Sequence, residues 1–260
     1  RGAWLMDPSL PARLGSLAGR PPASERKVSM RHAFGPAALA LAMLFSAGAA
    51  AQDAPIQVNP AEAGELAGAD ERARYEACLL RIAQEPEQAY EDGLAWTSQG
   101  GGWPARHCAA LALAALGHPG EAGARMAVLG EETIAATDHT RAVLFGHAGD
   151  AFLEAQDWDA AANAFQRGLA FAPQDYGLAA GAAQARLSQG DAEAAERAAT
   201  RAIAIDARGA EAWRLRAEAR LRQGDLDAAQ SDMTEARERA PDDVAILLLR
   251  GRINEARRGG

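Results

Sequence analysis

The chain reads as an all-α protein, a solenoid of stacked helical hairpins, on three observations. Stretches starting at Ala142, Tyr176 and Ala210 repeat one pattern at a spacing of 34 residues, a period that marks repeat architectures. Alanine dominates and aromatic residues make up only 5% of the chain, so a core has to form by helices approaching through small side chains. The Val/Ile-rich runs that a buried parallel sheet requires do not recur.

Each repeat justifies two helices. A small residue stands at the eighth place (Gly149, Ala183, Ala217) and Ala at the twentieth (Ala161, Ala195, Ala229). Phe165, Ala199 or Met233 holds the twenty-fourth place, and Gly168, Ala202 or Ala236 the twenty-seventh. These places let the two helices of a unit pack closely and leave another apolar face for the next unit, so they must recur. The turns read Ala155-Gln156-Asp157, Gln189-Gly190-Asp191 and Gln223-Gly224-Asp225. Gly190 and Gly224 suit the left-handed conformation that ends a helix, and each Asp suits the cap of the helix that follows. The units are 142–175, 176–209 and 210–243, with Pro173 and Pro241 closing the outer two.

Two degraded hairpins precede them within 70–136. One begins near Asp70, with Pro86 early in its second helix and Ala89 at the twentieth place. The other begins at Trp103, with Ala110, Gly117, Ala122 and Met126 at the matching places. Gly100-Gly101-Gly102 separates the two, and the insert 137–141 offers Thr137 or Asp138 as a cap. After Asp242 and Asp243 a capping helix is expected over 244–258. Its arginines give it the polar outer face that an open-ended stack needs.

Residues 52–69 read as a flexible linker. Met30, a short basic stretch, an apolar run from Phe34 to Phe45 and small residues up to Ala51 read as a secretory signal peptide, 30–51, with cleavage after Ala51. The run falls short of the ~20 residues a spanning helix needs; a retained anchor is the alternative. Residues 1–29 read as a disordered leader or an over-extended start. The expected location is periplasmic or secreted. The whole chain has a formal net charge of −8; without residues 1–51, which hold six basic and two acidic groups, 21 basic groups face 33 acidic ones, net −12. Nucleic acid and anionic membrane surfaces are therefore not the expected partners.

The spacing and small-residue placement resemble the tetratricopeptide repeat family, strongly over the last three units and weakly over the preceding two. The resemblance implies a right-handed superhelix whose concave face is lined by the first helix of each unit, and a binding role. The concave places it assigns include Val143, His147, Asp150 and Glu154 in one unit, Gln184 in the next, and Arg214, Glu218 and Arg222 in the last. Small residues at the middle unit's other places leave a dip between polar walls; the competing view is a merely solvated surface. The carboxylate clamp of chaperone-binding members (Lys, Asn, Asn) is absent, its places being Gly146/His147/Asp150 and Arg214/Leu215/Glu218.

Cys78 and Cys108 are the only cysteines. In this register they fall on neighbouring first helices, which points to a disulfide; two buried free thiols are the alternative. His107, His118, His139 and His147 form no metal-binding spacing, so solvated or core-edge roles are expected and no metal site. Phosphate-loop and nucleophile-elbow motifs are lacking, Glu131-Glu132 and Asp242-Asp243 read as solvated caps, and no cofactor or catalytic residue is expected. Arg214, Arg216, Arg220 and Arg222 share one helix. They either pair with Glu211, Glu218 and Asp225 or dock an acidic partner. The expected function is a non-catalytic scaffold in the cell envelope that binds a peptide or protein on the concave face. The alternative is an accessory subunit of an envelope-biogenesis complex, docking through its convex face or ends.

Overall fold

The computed structural model describes residues 68–259. The leader 1–29, the signal peptide 30–51 and nearly all of the linker 52–69 lie outside the described residues. Within them stand eleven α-helices and no strand: α1 Ala69–Ile82, α2 Pro86–Ser98, α3 Gly102–Ala115, α4 Pro119–Glu132, α5 Asp138–Glu154, α6 Trp158–Phe171, α7 Tyr176–Gln189, α8 Ala192–Ile205, α9 Ala210–Gln223, α10 Leu226–Arg239 and α11 Val244–Gly259. This is the all-helical solenoid expected.

The turns explain where the helices stop and start. Gly190 and Gly224 take φ of 92° and 82°, a left-handed geometry that only glycine adopts without strain. Gln156 is forced to φ 59° at the same place in its unit. Asp157, Asp191 and Asp225 each accept a hydrogen bond from the backbone N–H three residues on, at 3.1, 2.9 and 3.1 Å. Thr137, not Asp138, caps α5 by accepting from Thr140 N at 3.3 Å. Pro86 and Pro119 sit in the first turns of α2 and α4, where a missing N–H leaves no bond unmade.

Consecutive helices pack throughout, from α1 on α2 to α10 on α11. The small places set the approach: a Cβ added at Gly149 would come within 2.7 Å of the Phe165 ring. Phe165 therefore fills the space over a glycine, and its truncation to Ala would cost about 3–4 kcal/mol. One apolar cluster runs through α5 to α9, a second joins α3, α4, α5 and Ala164 of α6, and a third ties Ala217, Ala229 and Met233 to Leu249 and Ile253 of α11.

First helices also pack on the next first helix, α1 on α3, α5 on α7, α7 on α9 and α9 on α11. No comparable packing joins one second helix to the next among the described residues. The row of first helices is thus the tighter, inner side of the stack and the row of second helices the wider, outer side. The capping helix departs from expectation. It buries Ile246, Leu249 and Ile253, but its first half turns Val244, Leu247 and Leu248 outward instead of a polar face.

Candidate functional site

The inner face is built by α5, α7 and α9. On α7, Ala180 is buried in the core and Gly181 lies against the Phe165 ring, where an added Cβ would come within 2.5 Å, while Gly177 is exposed. Gln184, half-buried on the same helix, donates from Nε2 to Ser188 Oγ at 3.2 Å. Its Oε1 accepts from Arg214 of α9 at 3.3 Å, and Arg214 also grips Glu211 at 2.6 and 2.7 Å. On α5, Val143 is half-buried, and Asp150 and Glu154 are exposed. The Asp150 carboxyl has a solvent path yet is crowded by protein on most sides. Loss of hydration pushes its pKa up to about 6, because burial disfavours the charged form.

Two residues assigned to the inner surface are not available to a partner. His147 is buried, turned into the stack and bonded to His107. Glu218 is 5% exposed, held by Arg222 at 2.9 Å and by Arg252 of α11 at 2.6 and 2.9 Å. Burial works to raise the Glu218 pKa, but the Arg252 and Arg222 guanidiniums prevail and hold it below the usual range. The group fastens α11 to α9.

The other arginines of α9 are spent in the same way. Arg216 forms a two-pronged bond to the buried Asp232 of α10, both contacts 2.9 Å. Arg220 joins the same carboxylate at 2.8 Å and Glu196 of α8 at 2.8 Å. Glu211 and Glu218 serve as anticipated, whereas Asp225 caps α10 and Asp232 and Glu196 take its place. All four guanidiniums are engaged within the fold, so they do not form a ready anion site.

The histidines also differ from expectation. His118 and His139 are exposed, but His107 and His147 meet in the core. Tyr75 Oη lies 2.6 Å from His107 Nδ1, and His107 Nε2 lies 2.9 Å from His147 Nδ1. This polar chain crosses three successive first helices, α1, α3 and α5. Burial, then the neighbouring His147, holds the His107 pKa well below the usual range; burial brings that of His147 down to about 4. Sequence reasoning missed the pair because the insert 137–141 sets the two residues 40 apart, off the repeat period. The signal was that both stand at inward places, His107 fifth in its unit and His147 sixth in the next.

Cys78 of α1 and Cys108 of α3 are brought together with their α-carbons 6.2 Å apart, a separation a disulfide spans. Among the described residues no cluster of three or more His, Cys, Asp and Glu stands ready for a metal ion. No described helix is long and apolar enough to cross a membrane.

A stack of helical hairpins with one lined inner face defines a repeat scaffold. The tetratricopeptide repeat family model matches residues 147–210, 180–229 and 215–259, which supports that family for the last three units and α11. Among solved structures, a MamA RS-1 ArsTM double mutant is 19% identical over 70% of this chain and 97% of its own, with a TM-score of 0.56. Another, a crystal structure of MamA, is 18% identical over 58% and 85%, TM-score 0.50. A third is the second tetratricopeptide domain of human RPAP3 in complex with the HSP70 peptide SGPTIEEVD, 26% identical over 45% and 98%, TM-score 0.44. No curated protein matches the sequence.

Proposed function

We propose that the chain is a non-catalytic scaffold of the cell envelope that holds an extended peptide or protein segment against α5, α7 and α9. The observation that carries this reading is the half-buried polar line Ser188–Gln184–Arg214, which runs from α7 to α9 along the inner side. Gly177 is exposed at the start of α7, and Gln184 and Ser188 are half-buried, so a segment laid along α7 meets hydrogen-bonding side chains that can exchange partners. The tetratricopeptide fold is typically an interaction module, which agrees with that use. Export is supported by the signal-like stretch 30–51 and by the pairing of Cys78 with Cys108, which an oxidising compartment would make covalent.

A bulky side chain on this line tests the reading. Gln184→Trp should abolish capture of the partner from cell extract while leaving the unfolding midpoint within about 0.5 kcal/mol of wild type; capture at wild-type level would refute groove binding. The accessory-subunit reading has its own observation. A cavity of about 450 Å³ opens between the second helices α2 and α4, floored by Ala109 and lined by Leu94 and Val128. Val128→Glu should block docking there and leave groove capture intact.

A further inference from the structure

α11 is written as the first helix of a sixth unit. It begins at Val244, 34 residues after Ala210, which places Val244, Leu247 and Gly251 at the first, fourth and eighth places. In completed units these places are wholly or partly covered, most fully in the unit from Ala142. Ala142, Phe145 and Gly149 are all buried, and Gly149 lies under the Phe165 ring of α6. Ala217 packs against Ala229 and Met233 of α10. On α11, by contrast, Val244 is 68% and Leu247 37% exposed, and a Cβ at Gly251 would meet nothing within 4 Å; Leu248, at the fifth place beside them, is 65% exposed. Glycine in mid-helix costs about 1 kcal/mol relative to alanine, and no contact within the described residues explains it.

The same face also carries the pattern of a second helix. Val244, Leu248 and Gly251 follow the spacing of Ala161, Phe165 and Gly168 on α6, and of Ala229, Met233 and Ala236 on α10. α11 thus presents both the seat for a second helix and the stripe that fills such a seat. We infer that a second copy of this chain occupies it, its α11 lying antiparallel across a two-fold axis. Val244 of each copy then rests over Gly251 of the other, with the Leu247 and Leu248 side chains meeting between them. Antiparallel is also the sense in which the two helices of a hairpin run.

Charge agrees with a self-complementary pairing. Asp242, ahead of α11, and Arg250 and Arg258, in its second half, form no ion pair among the described residues. Antiparallel helices carry Asp242 of one copy toward the arginine-bearing half of the other, and symmetry makes the contact twice. A single helix pair buries less than a standard stable interface, so the dimer is of modest affinity.

Cysteine crosslinking of the full chain tests this directly. Leu248→Cys, treated with a short bifunctional thiol reagent, should give a covalent dimer, and Leu80→Cys, equally exposed on α1, should not. Adding Arg258→Asp should weaken dimer formation about five-fold, and adding Asp242→Arg as well should restore it. The inference is overturned by equal crosslinking at both positions, by none at position 248, by capture of only a different protein there, or by indifference to the charge reversal. Gln184→Trp should leave the yield unchanged, so failure of the groove reading and failure of this one are distinguishable.

Discussion

Single side chains in this molecule show how a repeat scaffold buries polarity. His107 and His147 stay neutral in the fold because burial opposes the charge, whereas in the unfolded chain they take up a proton near pH 6.5. The unfolded state therefore binds more protons as pH falls below that value. The stability is fully present above about pH 6.5 and is lost toward pH 4, to about 3 kcal/mol from His147 alone. Denaturant midpoints measured from pH 7.5 to 4.5 should fall for the wild type and fall less for His107→Leu combined with His147→Leu. Equal slopes would show that the pair does not govern acid sensitivity.

Asp150 works in the opposite sense. Its raised pKa means that the folded state holds its proton up to about pH 6, and ionisation above that pH is a burden on the fold. Asp150→Asn should raise the unfolding midpoint at pH 7.5 and leave it unchanged at pH 4; a loss at pH 7.5 would mean that the carboxylate has a favourable partner. At this scale the sequence was read unevenly. Gln184 and Arg214 stood out by place, but place alone does not tell a groove residue from one turned into the stack. His147 and Glu218 share concave places with Asp150 and Gln184 and yet are buried, because partners on other helices, His107 and Arg252, draw them inward. Those partners lie 40 and 34 residues away on other helices, so the direction of each side chain is set by a neighbouring helix and not by its own place in the unit.

At the level of elements, the hairpins were legible because their determinants are local. Gly190, Gly224 and the three aspartates end and cap helices through contacts within a few residues, and the small places recur wherever two helices must approach. Gln156 is the exception that offers a test. It holds the left-handed turn without glycine's freedom, so Gln156→Gly should stabilise the chain by about 0.5 kcal/mol. The corresponding Gly190→Ala should destabilise it by about 1 kcal/mol. Chemical denaturation of the two variants decides, and a Gln156→Gly variant weaker than wild type would place the strain elsewhere. The outward face of α11 was misjudged for a related reason: its arginines were visible, but Arg252 and Arg257 turn back to Glu218 and Asp227, leaving the apolar first half to face solvent.

For the whole molecule, the first two hairpins carry the weakest repeat signal and the most added fastening. The Tyr75–His107–His147 chain and the Cys78–Cys108 contact both tie α1 to α3. If the thiols are joined, the bond closes a loop of about 30 residues and contributes roughly 3–4 kcal/mol in the loop-entropy account. Cys78→Ser should then lower stability by that amount and change mobility on a non-reducing gel, with wild type in reductant matching the variant. Unchanged mobility would argue for two free thiols.

The central claim is that the inner face over α7 holds a partner. A photo-crosslinking residue placed at Gln184 in living cells, with a matched one at the outward Asn163 of α6, tests it most directly. The account predicts a discrete crosslinked protein from position 184 and none from 163; adducts from 163 alone, or from neither position, would contradict it.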